Sequence, residues 1–315
     1  MKIKCIYHKI DLDGWASAAI VQKWCEENNH EVELIGYNYK DELPDTNADI
    51  LFLCDLSFDP EIMNKLYTEY GKKFIWIDHH ESAINKNNKK ISGIRSVKYA
   101  ACELTWNFLY PDFKIPLGLK YLGLYDSFRH KNTPDHDKVM WFQYYARSVC
   151  NSPDTIVPEW IMNKVNRELF DPWLTIGKAI YEHLVIEAKS KYARGTEIFF
   201  PETVTGIDPI NENPDIQAHE YKFIMINEER FNPVNFGIDY HADGYDGAAC
   251  FYLDKNKKWV FSLYNNNGQV NCAEICIRYG GGGHKGAAGF ITDDINQFLL
   301  INPKSELPTV EEAGN

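Results

Sequence analysis

Acidic and imidazole side chains that could hold metal ions recur at three places in the first 80 residues of this 315-residue chain. They are His8, Asp11 and Asp13, then Asp55, and then the consecutive Asp78, His79 and His80. If these side chains share one pocket, its carboxylates cannot all stay ionised unless a cation neutralises them. Mixed carboxylate and imidazole ligands suit manganese or magnesium, and also cobalt or zinc in vitro. Because more than six candidate ligands exceed the needs of one ion, the residues predict a two-metal site.

Each of the three places follows a segment that is predicted to be a buried β-strand. The segments are Lys2–Tyr7, Ile50–Cys54 and Phe74–Ile77, and the second is a continuous apolar run typical of a central parallel strand. Helices are predicted between them over Trp15–Glu27 and Pro60–Tyr70. This alternation indicates a parallel sheet, in which the carboxyl ends of the strands line one crevice. We therefore expect the candidate ligands to converge at that edge.

Taken alone, each candidate has an ordinary structural explanation. Asp11 or Asp13 could cap a helix, and His79 and His80 could lie on the surface. Three predicted strands that all end in ligand-type residues are much less expected by chance than one. The joint pattern therefore favours metal binding.

Beyond residue 100 the sequence predicts more helices and then a second domain. Helical patterns cover 117–128, 138–149, 160–169 and 173–192. Residues 202–220 are typical of a loop, and strand-like segments follow at 223–226, 248–253 and 259–263, with a helix at 270–279. We predict a mixed α/β fold in which a parallel-sheet N-terminal domain is joined by a helical linker to a smaller α/β C-terminal domain, with the active site in the cleft between them. The predicted bounds are 1–190, 191–220 for the linker, 221–300, and 301–315 for a frayed tail.

The triplet Asp78-His79-His80 after a buried strand resembles the motif that names the DHH phosphoesterases. The family's other catalytic motifs are similar, in the same order, to three further segments: His8 with Asp11-Leu12-Asp13-Gly14, Asp55, and Asp126 within Gly123-Leu124-Tyr125-Asp126-Ser127. The stretch Arg278–Gly289, with sequence RYGGGGHKGAAG, resembles the glycine-rich signature of the DHH-associated C-terminal domain. The resemblance covers nearly the whole chain and implies a two-metal enzyme that hydrolyses phosphodiester bonds.

The resemblance also implies a role for each residue. His8, Asp11 and Asp55 would bind one ion, and Asp13, Asp55, His79 and Asp126 would bind the other, with Asp55 shared. Asp78 would orient a neighbouring ligand, and His80 would face the substrate phosphate and stabilise developing charge. Asp126 has the alternative of pairing with Arg129 on a helix surface.

The glycine-rich segment would bind the substrate. The residues concerned are Arg278, Gly281, Gly282, Gly283 and His284. Glycines let backbone N–H groups approach a phosphate closely, although four glycines could also form a flexible turn.

Composition limits the partners of the protein. The net charge of −12 gives the chain little general attraction for long nucleic acids, which favours a short substrate. No run of about 18 apolar residues and no signal peptide are evident, so we expect a cytoplasmic protein without a membrane partner. The eight cysteines are expected to be buried reduced thiols rather than disulfides or a zinc site.

The leading hypothesis is a phosphodiesterase that uses two divalent ions, foremost Mn²⁺ with Mg²⁺ or Co²⁺ as alternatives. It would hydrolyse short oligonucleotides or dinucleotides to mononucleotides, as nanoRNase-like relatives do, with 3′-phosphoadenosine nucleotides as further substrates. A phosphodiesterase for cyclic or linear dinucleotide signals and a RecJ-type single-strand exonuclease are alternatives within the enzyme class. A catalytically inactive nucleotide-binding module is the alternative from another class. The sequence leaves a homodimer open.

Overall fold

The structure, a computed structural model, describes residues 1–39, 41–87, 90–162, 167–201, 220–229 and 231–295. The chain divides into two compact units, Met1–Glu182 and His183–Asn315. The loop predicted at 202–219, the tail predicted at 301–315 and part of the helix predicted at 160–169 lie outside the described residues. The domain bounds and the interdomain location of the active site stay predictions. Within the part of the chain that is described, no helix combines the length and apolar character needed to cross a bilayer.

A four-stranded parallel sheet forms the centre of the first unit. Its strands are β1 (Lys2–His8), β2 (Glu31–Tyr37), β3 (Ile50–Cys54) and β4 (Phe74–Ile77), in the spatial order β2-β1-β3-β4. Tyr7 of β1 lies opposite Cys54 of β3, and Cys54 lies opposite Ile77 of β4. The carboxyl ends of these three strands are therefore side by side, which confirms the predicted parallel sheet.

Helices cover both faces of this sheet. They are α1 (Leu12–Glu27), α2 (Pro60–Tyr70), α3 (Glu81–Lys86) and α4 (Ala101–Leu109), with α1 and α4 on one face and α2 and α3 on the other. Three further helices, α5 (Leu117–Asp126), α6 (His136–Val149) and α7 (Arg167–Tyr192), pack with α1 and α4 in a separate apolar core. Phe52 of β3 belongs to the same packed cluster as Val21 of α1. Its neighbour Leu53 points to the other face, into the cluster that contains Met63 of α2. Because successive residues of a strand are buried on opposite faces, the strands are apolar throughout.

The last helix of the first unit begins earlier than the sequence predicts. Pro172 lies inside α7, whereas a helix starting at Trp173 was expected, so that prediction is wrong. A proline in a helix removes one backbone hydrogen bond. Burial of Phe170, with Trp173 and Leu174 packed against the same core, offsets that cost. The division between the two units falls within α7.

The second unit contains a six-stranded mixed sheet. Its strands are β5 (Thr196–Pro201), β6 (Glu220–Asn227), β7 (Gly247–Leu253), β8 (Trp259–Tyr264), β9 (Gly282–His284) and β10 (Ala287–Thr292), in the order β5-β6-β7-β8-β10-β9. One helix, α8 (Cys272–Arg278), packs Ile275 and Cys276 into the core formed with Phe261 and Phe290. Strand β5 lies in the segment that the sequence predicts as linker. The cysteines of the chain are all free and buried, as expected.

Candidate metal centre

The predicted metal ligands of the first unit lie at the carboxyl edge of its sheet. His8 is the last residue of β1, Asp55 directly follows β3, and Asp78 directly follows β4. Asp126 is the last residue of α5. Three overlapping groups have ligand atoms within 4.8 Å of one another. They are His8, Asp11 and Asp55; Asp13, His79 and Asp126; and Asp55, His79 and His80.

The first of these groups forms where β1 enters α1. Nδ1 of His8 lies 3.1 Å from Oδ2 of Asp11 and 3.5 Å from Oδ2 of Asp55. Asp11 is also the N-cap of α1, because its Oδ1 accepts a hydrogen bond of 3.1 Å from the backbone N–H of Gly14. The capping role and the ligand role therefore use different oxygens of one carboxylate. A side chain at Gly14 would place its Cβ 1.9 Å from the carbonyl oxygen of His8, so only glycine permits this close approach.

The second group forms around His79. Its Nε2 lies 3.3 Å from Oδ2 of Asp126 and 3.7 Å from Oδ2 of Asp13. Asp13 is buried in the first turn of α1, and its two oxygens accept hydrogen bonds of 2.8 Å from the backbone N–H groups of Ala101 and Cys102 at the start of α4. These N–H groups have no partner within their helix, and the helix dipole favours a negative charge there. Both oxygens of Asp13 are therefore held in place.

Asp55 lies between the two groups and faces both. Its Oδ2 is 3.5 Å from Nδ1 of His8, and its Oδ1 is 3.3 Å from Nε2 of His79. The residue is buried and has a left-handed backbone with φ of +63°, fixed by a hydrogen bond of 2.9 Å from its N–H to the carbonyl oxygen of Ile77. Aspartate tolerates this conformation better than most residues. One oxygen toward each group is the arrangement that a shared ligand requires.

Asp78 and His80 form a separate hydrogen-bonded pair beside this cluster. Oδ1 of the fully buried Asp78 accepts hydrogen bonds from the backbone N–H groups of His79 at 2.7 Å and of His80 at 3.1 Å. The same oxygen lies 2.8 Å from Nδ1 of His80. Asp78 therefore fixes the backbone that carries His79 and orients the ring of the half-exposed His80.

Burial and mutual repulsion perturb the carboxylates of the cluster. Burial raises the pKa of Asp13 to about 7, with a further contribution from the charge of Asp55. Burial and the charge of Asp13 raise the pKa of Asp126 to about 7. Burial alone would lower the pKa of His79, yet the carboxylates of Asp55, Asp13 and Asp126 raise it to about 10. Without metal, these side chains therefore keep protons near neutral pH. A bound cation would supply the positive charge in place of those protons.

The donor atoms fit a pair of divalent cations. Oδ1 of Asp55 and Oδ2 of Asp126 are buried, and neither has a hydrogen-bond partner among the described residues. A buried carboxylate oxygen without a partner is costly, and a cation removes that cost. Each of the two groups combines carboxylate and imidazole ligands, and Asp55 lies between them. Manganese and related divalent ions accept ligands of these types.

Metal binding is expected to strengthen as the pH rises from 6 to 8. Ligands must lose their protons to bind a metal, and the pKa values of about 7 for Asp13 and about 10 for His79 mean that protons are displaced over this range. Each displaced proton raises the affinity about tenfold per pH unit. Calorimetric titration with Mn²⁺ in two buffers of different ionisation enthalpy measures both the affinity and the number of protons released. An affinity that does not change between pH 6 and pH 8 would contradict the ligand assignment.

Five contacts near the centre were not predicted from the sequence. Besides the two N–H groups at the start of α4, the buried Glu103 forms an ion pair with Arg129 and accepts a hydrogen bond of 3.2 Å from the N–H of Ala100. Arg129 therefore pairs with Glu103, which answers the alternative explanation of Asp126. Nε of Arg129 also donates to Oγ of Ser127 at 2.7 Å. A glutamate three residues after a helix start is a signal for capping that the sequence does contain.

The glycine-rich segment lies in the second unit, between α8 and β10. Arg278 ends α8, and Gly282–His284 forms the edge strand β9. A Cβ at Gly281 would lie 2.1 Å from the carbonyl oxygen of Gly289, so the packing of this segment on β10 already requires glycine there. Gly282 has no atom within 4 Å of such a Cβ, and His284 is exposed. The substrate-binding role of these residues stays a prediction.

Comparison with known proteins gives a family match to part of the first unit. Residues 2–125 match the profile described as "DHH family, N-terminal domain". An uncharacterised protein, R106, of Acanthamoeba polyphaga mimivirus is 21% identical over 93% of this chain and 68% of its own length.

Two solved structures align with most of this chain at low sequence identity. An exopolyphosphatase-related protein from Bacteroides fragilis is 12% identical, with a TM-score of 0.48 over 92% of this chain and 86% of that one. PggH from Vibrio cholerae, described as a pGpG-specific phosphodiesterase, is 12% identical, with a TM-score of 0.45 over 92% of both chains. With identities this low and TM-scores below 0.5, neither structure indicates what this chain acts on.

Proposed function

We propose that this chain, whose residues 2–125 match the N-terminal domain of the DHH family, is a metal-dependent phosphodiesterase that hydrolyses short oligonucleotides or dinucleotides to mononucleotides. The observation that carries the proposal is the position of Asp55, whose two oxygens lie 3.5 Å from His8 and 3.3 Å from His79. This arrangement supports two neighbouring cation sites rather than two unrelated ion pairs.

The proposed ligands divide as the distances suggest. His8, Asp11 and Asp55 would hold one ion, and Asp13, Asp55, His79 and Asp126 the other. When bound, two divalent ions supply Lewis acidity to the phosphoryl oxygens and make water a stronger nucleophile near neutral pH. We propose Mn²⁺ as the ion, since imidazole nitrogens and carboxylate oxygens contribute together to the donor set.

The remaining residues of the centre would orient the reaction. Burial alone would lower the pKa of His80, but the hydrogen bond to Asp78 raises it. In the imidazolium form, Nδ1 donates to Asp78 and Nε2 can donate a hydrogen bond to a phosphoryl oxygen. That bond would strengthen as charge develops on the oxygen in the transition state. The N–H groups of Ala101 and Cys102 keep Asp13 fixed, so little reorganisation is required during turnover.

A short substrate is favoured by the charge of the whole chain. The excess of acidic residues gives a net charge of −12, which disfavours a long polyanion that must follow a groove. In the second unit, Arg278, His284 and the accessible backbone of Gly282 are the groups proposed to bind the phosphates or sugars of the substrate.

A substrate panel with Mn²⁺ tests this function. It compares a dinucleotide, a five-residue RNA, a long single-stranded DNA, a cyclic dinucleotide and a 3′-phosphoadenosine nucleotide. We expect the dinucleotide and the five-residue RNA to be hydrolysed to mononucleotides at least ~10 times faster per enzyme than the long DNA, because only short substrates avoid the repulsion of an acidic surface. Binding of Mn²⁺ and nucleotide without any hydrolysis would instead identify an inactive nucleotide-binding module.

A further inference from the structure

Phe128 combines an unfavourable backbone conformation with an exposed aromatic ring, two residues after Asp126. Its φ is +56°, in the left-handed region, and 61% of the residue is exposed. It follows Ser127, the C-cap of α5, and its N–H donates to the carbonyl oxygen of Tyr125 at 3.1 Å. Helices commonly end with a left-handed residue at this position, and that residue is usually glycine because a Cβ there is strained.

The choice of phenylalanine is not explained by the turn itself. Among the described residues other than glycine, positive φ occurs also at Asn29, Asp55, Asn132 and Lys257. Asparagine and aspartate tolerate this conformation, whereas a bulky aromatic residue there is an outlier. Of these five residues, only Asp55 and Phe128 belong to the segments that carry the metal centre. Backbone strain of this kind tends to occur where a side chain is needed at a functional site.

The ring of Phe128 has no apolar core to fill. Nζ of the exposed Lys131 lies 4.6 Å from the ring centroid. A comparable side chain borders the other ligand group: Tyr39 is 56% exposed, and its ring centroid lies 6.2 Å from that of His8. Tyr39 is thus near His8 in space, and Phe128 is two residues from Asp126 in the chain. Exposed aromatic rings next to positive charge are the features with which proteins stack nucleobases and bind their phosphates.

We propose that Phe128 is a specificity-determining residue whose ring stacks on a nucleobase of the substrate. The inference rests on the proposed function and narrows it, because a stacking residue selects phosphodiesters that carry a planar base over those that carry only sugar or phosphate. Phenylalanine at this turn would then improve substrate binding, although glycine there would make the protein more stable.

The test compares the Phe128→Gly and Phe128→Trp variants with the wild-type protein. All three are full-length and loaded with Mn²⁺. Equilibrium binding of adenosine 5′-monophosphate and of ribose 5-phosphate is measured for each, because these ligands differ only in the base. In Phe128→Gly we expect the preference for the nucleotide to fall about tenfold, within the range found for base–aromatic stacking. Phe128→Trp, which keeps a planar ring, is expected to retain the preference.

Thermal unfolding provides a second, independent readout. Phe128→Gly is expected to raise Tm, since glycine adopts the left-handed conformation without strain. The matched control is Phe113→Gly, which removes an equally exposed ring (55%) near the opposite end of α5, at a residue without positive φ. The control should leave the nucleotide preference unchanged and should not raise Tm.

The outcomes separate this inference from the proposed function. An unchanged preference in Phe128→Gly, or a wild-type protein that binds both ligands equally, would overturn the stacking role whatever the effect on Tm. A lower Tm in Phe128→Gly would overturn the strain on which the inference depends. Because binding and Tm are measured without turnover, a failure of the wild-type protein to hydrolyse dinucleotides would refute the proposed function and leave these results interpretable.

Discussion

Asp55→Asn is expected to lower kcat for a dinucleotide by about a thousandfold or more while leaving the fold intact. Asp55 is the residue whose oxygens face both ligand groups, so the substitution removes the negative charge shared by both proposed cation sites and the donor oxygen at one of them. Asparagine occupies the same volume and accepts a φ of +63° as readily as aspartate does. The loss of activity is therefore not expected to come with unfolding, and circular dichroism together with steady-state kinetics in Mn²⁺ measures both.

The matched control for this substitution is Asp59→Asn. Asp59 is exposed, four residues further along the same segment, and its side chain makes no capping hydrogen bond to α2. It should retain wild-type kcat. Near-normal turnover by a folded Asp55→Asn protein would show that the two ligand groups do not share this carboxylate.

Asp126→Asn is expected to remove one of two bound ions and to lower kcat by roughly a hundredfold or more. Asp126 belongs to the group around His79, whereas His8, Asp11 and Asp55 form a group without it. Its buried Oδ2 has no hydrogen-bond partner among the described residues and contacts His79, another proposed ligand, at 3.3 Å, so the change should act on the metal centre rather than on the fold. Metal content by mass spectrometry after equilibrium dialysis against Mn²⁺ should fall from two ions per chain to one.

Asp112→Asn serves as the control for this second substitution. Asp112 is exposed in the turn before α5, at the end of that helix opposite to Asp126. It should keep both ions and full activity. Two ions per chain in Asp126→Asn would mean that Asp126 is not a ligand and that its raised pKa has a purely structural origin.

The sheet and its ligand edge could be predicted because the signals are local. The apolar runs that end at Tyr7, Cys54 and Ile77 specify buried strands, and parallel strands in one sheet have their carboxyl ends at one edge. The residues that follow each run then have to be neighbours. Asp126 was the least certain of the proposed ligands, because its position depends on how α5 packs rather than on a strand end.

The support of the centre could not be predicted because it depends on contacts between residues far apart in the chain. Asp13 accepts its hydrogen bonds from Ala101 and Cys102, 88 and 89 residues away. No sequence pattern links these positions, since the donors are backbone groups that any residue carries. The left-handed backbone of Phe128 could not be predicted either, because phenylalanine rarely adopts that conformation. The position of Glu103 in the sequence indicates helix capping. Its ion pair with Arg129 is seen only in the structure.

Anomalous diffraction from crystals grown with Mn²⁺ tests the two-ion centre most directly. Two peaks are predicted per chain, one in contact with His8 and Asp11 and the other with Asp13, His79 and Asp126, with Asp55 bound to both. A single peak, or two peaks of which only one contacts Asp55, would contradict the shared carboxylate on which the proposed enzyme depends.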